Sequence, residues 1–254
     1  MFSKYRAAVL VASIGVVLSL VACGGGGSSG DGSANPNAGG QPQTVSGTVA
    51  KGAALGGATV TLTCANGAVL GGTTSTTGGY TTAPMSIAYP CIGTAVAAGG
   101  LPSYRSVLFS GNVVNFTPMT DMLVEAVLAA SAPGSVSLKL AEFVTKMSTD
   151  ATFSTNVSAP ASVTAFRTVV LNTITKELSA TKTPAEITLI LAAAATFDAT
   201  PFVVGSPLDK VLDNTAAVLQ NTDGTIKAAI LTSVKVAADA LPVPPSKGTG
   251  ATGT

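Results

Sequence analysis

The sequence predicts an α+β protein: an N-terminal seven-stranded β-sandwich, then a C-terminal helical bundle, behind a cleaved leader and a flexible tether. Three observations carry this expectation. Between Thr44 and Phe116 apolar residues recur with a period of two, punctuated by glycine pairs. From Pro118 onward they recur at helical spacing. Ahead of both lies a glycine- and serine-rich stretch, 24–43, without any apolar periodicity to bury. The implied divisions are a leader at 1–22, Cys23 and the tether at 23–43, the sandwich at 44–117, the helices at 118–241 and a disordered tail at 242–254.

The leader comes first. Lys4 and Arg6 form a basic start, and residues 7–22 form an apolar run interrupted by Ser13, Gly15 and Ser19. A membrane-spanning helix needs about 18–20 apolar residues, so the run fits a removable segment better than a span. Leu20-Val21-Ala22 places a small residue directly before Cys23, and a glycine run follows. This arrangement resembles a bacterial lipoprotein signal with its lipobox. The resemblance implies cleavage before Cys23 and acylation of that cysteine. Each buried acyl CH₂ contributes about 0.8 kcal/mol to membrane anchoring. Gly24 stands where an aspartate would retain such lipoproteins in the inner membrane, so the resemblance implies a Gram-negative outer membrane. Whether the body faces the periplasm or the exterior stays open. The tether has an r.m.s. span of about 25 Å and would hold a folded body off the bilayer.

The strands follow. Val45, Gly47 and Val49 alternate, and Ala58, Val60, Leu62 and Cys64 alternate with Thr59, Thr61 and Thr63. Ile92, Thr94 and Val96 suggest another strand, then Tyr104–Ser110, then Asn112–Phe116. Glycine pairs at 56–57, 71–72, 78–79 and 99–100 mark turns. About seven short strands at this spacing read as a sandwich. Val45-Ser46-Gly47-Thr48-Val49, Gly52, Leu55, Gly57-Ala58, Val60, Leu62, Thr77 and Gly79-Tyr80 resemble the opening of a carboxypeptidase regulatory-like domain. That family has a transthyretin-like (prealbumin-like) seven-stranded sandwich with a structural or adhesive role, and it brings no catalytic residues to carry over. The acidic residue often found before its Gly-Tyr turn is absent, since the stretch reads Thr76-Thr77-Gly78-Gly79-Tyr80.

Then come the helices. Thr117 and Pro118 read as N-cap and first helical position, ahead of a stripe of Met119, Met122, Leu123, Ala126, Val127 and Ala130 that Pro133-Gly134 ends. Val136, Leu140, Phe143, Val144 and Met147 form a second stripe; Val163, Phe166, Val170, Ile174 and Leu178 form a third. Thr183-Pro184-Ala185-Glu186 is a capping box. The helix it opens is apolar nearly all round, which predicts a place at the centre of the helical core. Ser206-Pro207-Leu208-Asp209 opens a fifth helix, with Leu208, Val211, Leu212, Ala216 and Leu219 inward and Asp209, Lys210 and Asp213 outward. Asp223-Gly224 is a turn before a last stripe of Ile226, Ala229, Ile230, Val234 and Ala237. With no linker between Phe116 and Pro118, the helices should pack on the sandwich or its end.

Composition narrows function. There are 13 basic and 12 acidic residues, a net charge of +1, and losing Lys4 and Arg6 with the leader turns this to −1. Such a balance gives no electrostatic case for nucleic acid. Of the cysteines, Cys23 would be taken by lipid, leaving Cys64 and Cys91 as an even pair in an oxidising compartment. They are expected to form a disulfide contributing about 3–4 kcal/mol; the alternative is two buried thiols. The chain has no histidine, which removes Ser-His-Asp, Cys-His and His–metal arrangements. There is no G-x-S-x-G, P-loop or dinucleotide fingerprint. Ser137/Lys139 and Ser233/Lys235 have the wrong spacing for a serine–lysine pair.

Two carboxylate pairs sit four residues apart, Asp121/Glu125 and Asp209/Asp213. Either pattern is compatible with calcium or acid–base work, and equally with a solvated polar face. Asp121/Glu125 lies near the sandwich–helix junction, where a groove could form, and is the weak site candidate. Tyr80, Tyr89 and Tyr104 could stack on sugars or anchor a partner, although core support is the commoner role. Arg105 and Arg167, the only arginines after the leader, should make local pairs. The sequence thus points to a non-catalytic binding or structural lipoprotein with no cofactor and no metal. Its expected contacts are the membrane, through its lipid, and an envelope protein or glycan. The alternatives are a carbohydrate- or peptide-binding lipoprotein for nutrient capture, and a divergent hydrolase using Asp121 and Glu125.

Overall fold

Threonines alternating with Val60, Leu62 and Cys64 give one strand a wet face and a dry one. In the computed structural model, which describes residues 41–132 and 137–241, that strand is central to the larger of two sheets. The leader, Cys23, most of the tether, Val136, the Pro133-Gly134 stop and the tail lie outside the described residues. The six strands described are β1 (Ser46–Thr48), β2 (Thr59–Cys64), β3 (Val69–Thr73), β4 (Gly79–Thr81), β5 (Cys91–Val96) and β6 (Ser103–Leu108). β1 and β4 pair antiparallel, and the four-stranded sheet runs β3-β2-β5-β6, also antiparallel.

A seventh strand was expected at Asn112–Phe116. That segment instead runs parallel beside β1 through isolated bridges. Ser46 N–H donates to the Asn112 carbonyl (2.9 Å), Val114 N–H to Ser46 (2.9 Å), Phe116 N–H to Thr48 (2.9 Å) and Ala50 N–H to Phe116 (3.0 Å). The body also begins earlier than the expected tether boundary, because Gln43 and Met85 exchange backbone hydrogen bonds.

The period of two divides the larger sheet's side chains between two cores. Val60, Leu62, Cys64, Ala95, Tyr104 and Leu108 meet Val45, Val49, Tyr80, Val114 and Phe116 between the sheets. Ile92 and Val107 point the other way, into a core built with the helices. Seven helices are described: α1 (Pro118–Ala130), α2 (Leu140–Thr149), α3 (Ala151–Ser158), α4 (Pro160–Leu178), α5 (Pro184–Leu191), α6 (Pro207–Leu219) and α7 (Ala228–Asp239).

α1 starts where the sequence predicts. Thr117 Oγ1 accepts the Thr120 N–H (3.3 Å), and Thr120 Oγ1 accepts the Thr117 N–H (2.8 Å). Within α1 only Glu125 escapes burial, because the helix packs against β6, α4 and α7. It is therefore α1 that fills the centre. The capping-box helix, α5, does not: it buries Ile187 alone, and its Leu189 is 78% exposed. With eight residues it packs one face on α4 and α6, so its apolar far side stays outside. α3 had no predicted counterpart; Asp150 caps it through the Phe153 N–H (2.8 Å). Asp209, expected outside, is buried, with Oδ2 accepting the Gly205 N–H (2.7 Å).

Candidate functional site

One helical turn separates Asp121 from Glu125, so both carboxylates face the same way. They face β6. The alternation that sends Tyr104 inward turns Arg105 toward α1. Arg105 Nε donates to Asp121 Oδ1 (2.6 Å) and Nη2 to Glu125 Oε2 (3.2 Å). The Arg105 backbone N–H also donates to Asp121 Oδ1 (3.0 Å), and the Thr120 hydroxyl donates to the Arg105 carbonyl (3.0 Å). Ser137 Oγ donates to Glu125 Oε1 (3.4 Å). Burial opposes the charge on Arg105, but Asp121 and Glu125 together outweigh it and hold the guanidinium above its ordinary pKa. This is a clamp closing the free edge of β6. Acid–base catalysis needs a carboxylate within reach of a substrate proton, and here both are engaged by one arginine.

The tyrosines are dispersed in role. Tyr80 is buried; its hydroxyl donates to the Val114 carbonyl (2.8 Å) and its ring tilts against Phe116 at 5.9 Å. Tyr104 is buried and donates to the Gly224 carbonyl (2.6 Å). Burial raises both phenols, and Asp121 and Asp223 push Tyr104 further up. Tyr89 is half-buried, accepting from Gln43 Nε2 (2.8 Å) and donating to the Gly111 carbonyl. Neither Tyr80 nor Tyr104 has a ring face free for stacking. Cys64 and Cys91 stand directly opposite on β2 and β5, both buried, and are joined by a disulfide.

Two recesses flank the β-region. The larger, about 620 Å³, is lined by Ser46, Thr48, Thr73, Thr81, Pro201 and Phe202 among others, and none of its lining residues is charged. The smaller, about 210 Å³, does lie at the junction of the β-region with the helices. It forms beside Arg167 and Asp198, not beside Asp121 and Glu125. Arg167 of α4 forks onto Asp198, Nε to Oδ1 and Nη2 to Oδ2, both at 2.8 Å. Asn115 fixes the segment carrying Asp198: its Nδ2 donates to the carbonyls of Phe197 (3.1 Å) and Thr200 (2.7 Å), while its Oδ1 accepts the Thr48 N–H (3.2 Å).

Sequence reasoning missed this pair, which spans 31 residues. The available signal was scarcity: only two arginines follow residue 22 in a chain so poor in charge, each requires a carboxylate partner, and neither partner is local. Among the described residues no group of three or more His, Cys, Asp or Glu is placed to hold a metal, and no helix is long and apolar enough to cross a membrane. No family model matches the chain, and no curated protein or solved structure matches it.

Proposed function

We propose that this chain is a lipid-anchored cell-envelope protein of the outer membrane. Its folded body would be a non-catalytic binding or structural module, and its β-region a carboxypeptidase regulatory-like sandwich. One observation carries the reading: a basic, then apolar, leader that ends at Cys23 and runs into a glycine-rich tether. The arginine clamps support the non-catalytic part, because Arg105 and Arg167 occupy Asp121, Glu125 and Asp198. A hydrolase built on Asp121 and Glu125 draws no support from that geometry. The anchor is tested by labelling with palmitate in a bacterial host. Cys23→Ala is expected to abolish the label and move the protein out of the membrane fraction; undiminished label overturns the proposal. Protease treatment of intact cells then separates a surface-facing body from a periplasmic one.

A carbohydrate- or peptide-binding role has a separate support, the uncharged, hydroxyl-lined groove beside β1 and β4. It fits a neutral chain-like ligand better than an ionic one. Calorimetric titration with maltotriose, cellotriose and trialanine tests it. Saturable heat that Thr81→Trp removes is the expected result, and no saturation with any of them removes the reading.

A further inference from the structure

The junction recess combines features that the larger groove lacks. Pro160, Val163, Thr164 and Arg167 line it from one face of α4, at positions i, i+3, i+4 and i+7. Phe109 lines it from the β-region, its ring stacked on Phe166 with centroids 6.2 Å apart. Ser158 also lines it, and the Ser158 hydroxyl is buried without a hydrogen-bond partner among the described residues. The Asp198 side chain is 3% exposed. A buried, unmatched hydroxyl costs about 1–3 kcal/mol, so something polar in the recess is favoured.

We propose that this recess binds a single neutral pyranose ring, a free monosaccharide or the terminal unit of a glycan. This goes beyond the carbohydrate reading of the larger groove and stands on the lining of the recess itself. Size comes first: 210 Å³ falls below the roughly 300 Å³ at which drug-sized pockets begin, so one ring fits and an oligosaccharide does not. Charge comes second. Arg167 and Asp198 neutralise each other, and no other charged residue lines the recess. An ionic ligand would bring an uncompensated charge into it. Chemistry comes third. Arg167 uses two of the five N–H donors a guanidinium carries, and the Asp198 carboxylate keeps further acceptor sites. Adjacent ring hydroxyls need such a donor and such an acceptor side by side. Ser158 supplies a third contact, while Phe109, Val163 and Pro160 offer hydrocarbon to the C–H face of the ring.

The test titrates the purified mature chain with methyl α-glucopyranoside, methyl β-galactopyranoside and methyl α-mannopyranoside, followed by NMR and thermal shift. At least one is expected to saturate. Thr164→Trp fills the mouth from an exposed position; it should abolish binding with an unchanged far-UV spectrum. Ser158→Ala should weaken binding about three- to tenfold without lowering Tm. Binding that survives Thr164→Trp but not Thr81→Trp assigns the sugar to the groove and overturns the proposed site, leaving the carbohydrate reading intact. No saturation by any glycoside or by the two trisaccharides overturns both.

Discussion

Arg105 makes three hydrogen bonds to two carboxylates: its guanidinium donates to Asp121 and Glu125, and its own backbone N–H donates to Asp121. Removing it strands Asp121, which is 8% exposed, without its counter-ion. Arg105→Ala is therefore expected to lose about 2–4 kcal/mol in urea unfolding. Arg105→Lys should restore only part, because an ammonium is a point charge without the separate Nε and Nη2 donors that reach Asp121 and Glu125. The buried phenols set a second expectation. Folding keeps Tyr80 and Tyr104 protonated above the ordinary value of 10.0, whereas the unfolded chain ionises near it. Their contribution is thus complete below pH 10 and declines as pH rises above it. Absorbance at 295 nm should show both ionising together with loss of far-UV dichroism, and Tyr104→Phe should remove one of the two. The carboxylate pair was legible from its four-residue spacing. Its arginine was not, because a partner on a separate strand, 16 residues from Asp121, leaves no periodic trace.

Among the elements, β1 meets the 112–116 segment backbone to backbone. A Cβ on Gly47 would collide with the Val114 carbonyl. Gly47→Ala should cost about 2–3 kcal/mol, while Gly99→Ala, with nothing within 4 Å of the added carbon, should change stability little. The cap of α5 gives a pH signature. Glu186 accepts the Thr183 N–H and hydroxyl, both at 2.7 Å, and these bonds hold its carboxyl below the ordinary 4.5. The cap is intact above that value and loosens as pH falls through the lower, folded one. NMR titration of Glu186 checks this, and Thr183→Ala should return it toward the ordinary value.

Period and caps made β2, β5, β6, α1, α4 and α6 readable. α3 was not readable, because ATFSTNVS carries too few apolar residues for a stripe and is held by Asp150 and its neighbours. α5 misled because hydrophobicity on all sides identifies a helix that could be central, while its length decides how much of it is covered. The 112–116 pairing escaped because alternation marks a strand without naming its neighbour.

At the scale of the molecule, one four-stranded sheet serves two cores, with Leu62 and Leu108 on one side and Ile92 and Val107 on the other. Neither core closes without it. Tyrosine fluorescence, reporting the β-region, and helical dichroism should therefore fall in one coincident transition; separate midpoints would show that the two parts fold apart. Replacing Cys64 and Cys91 together by serine should lower that midpoint by the equivalent of about 3–4 kcal/mol, as expected for a loop of 27 residues. The position of β1 has a mechanical consequence. It is the first strand after residue 43 and lies between β4 on one side and residues 112–116 on the other. A pull applied to the chain ahead of Thr44 runs along β1, across the direction of its hydrogen bonds on both flanks. Those bonds are loaded together in shear instead of being unzipped one by one, and the strand that would take such a load is gripped from two sides.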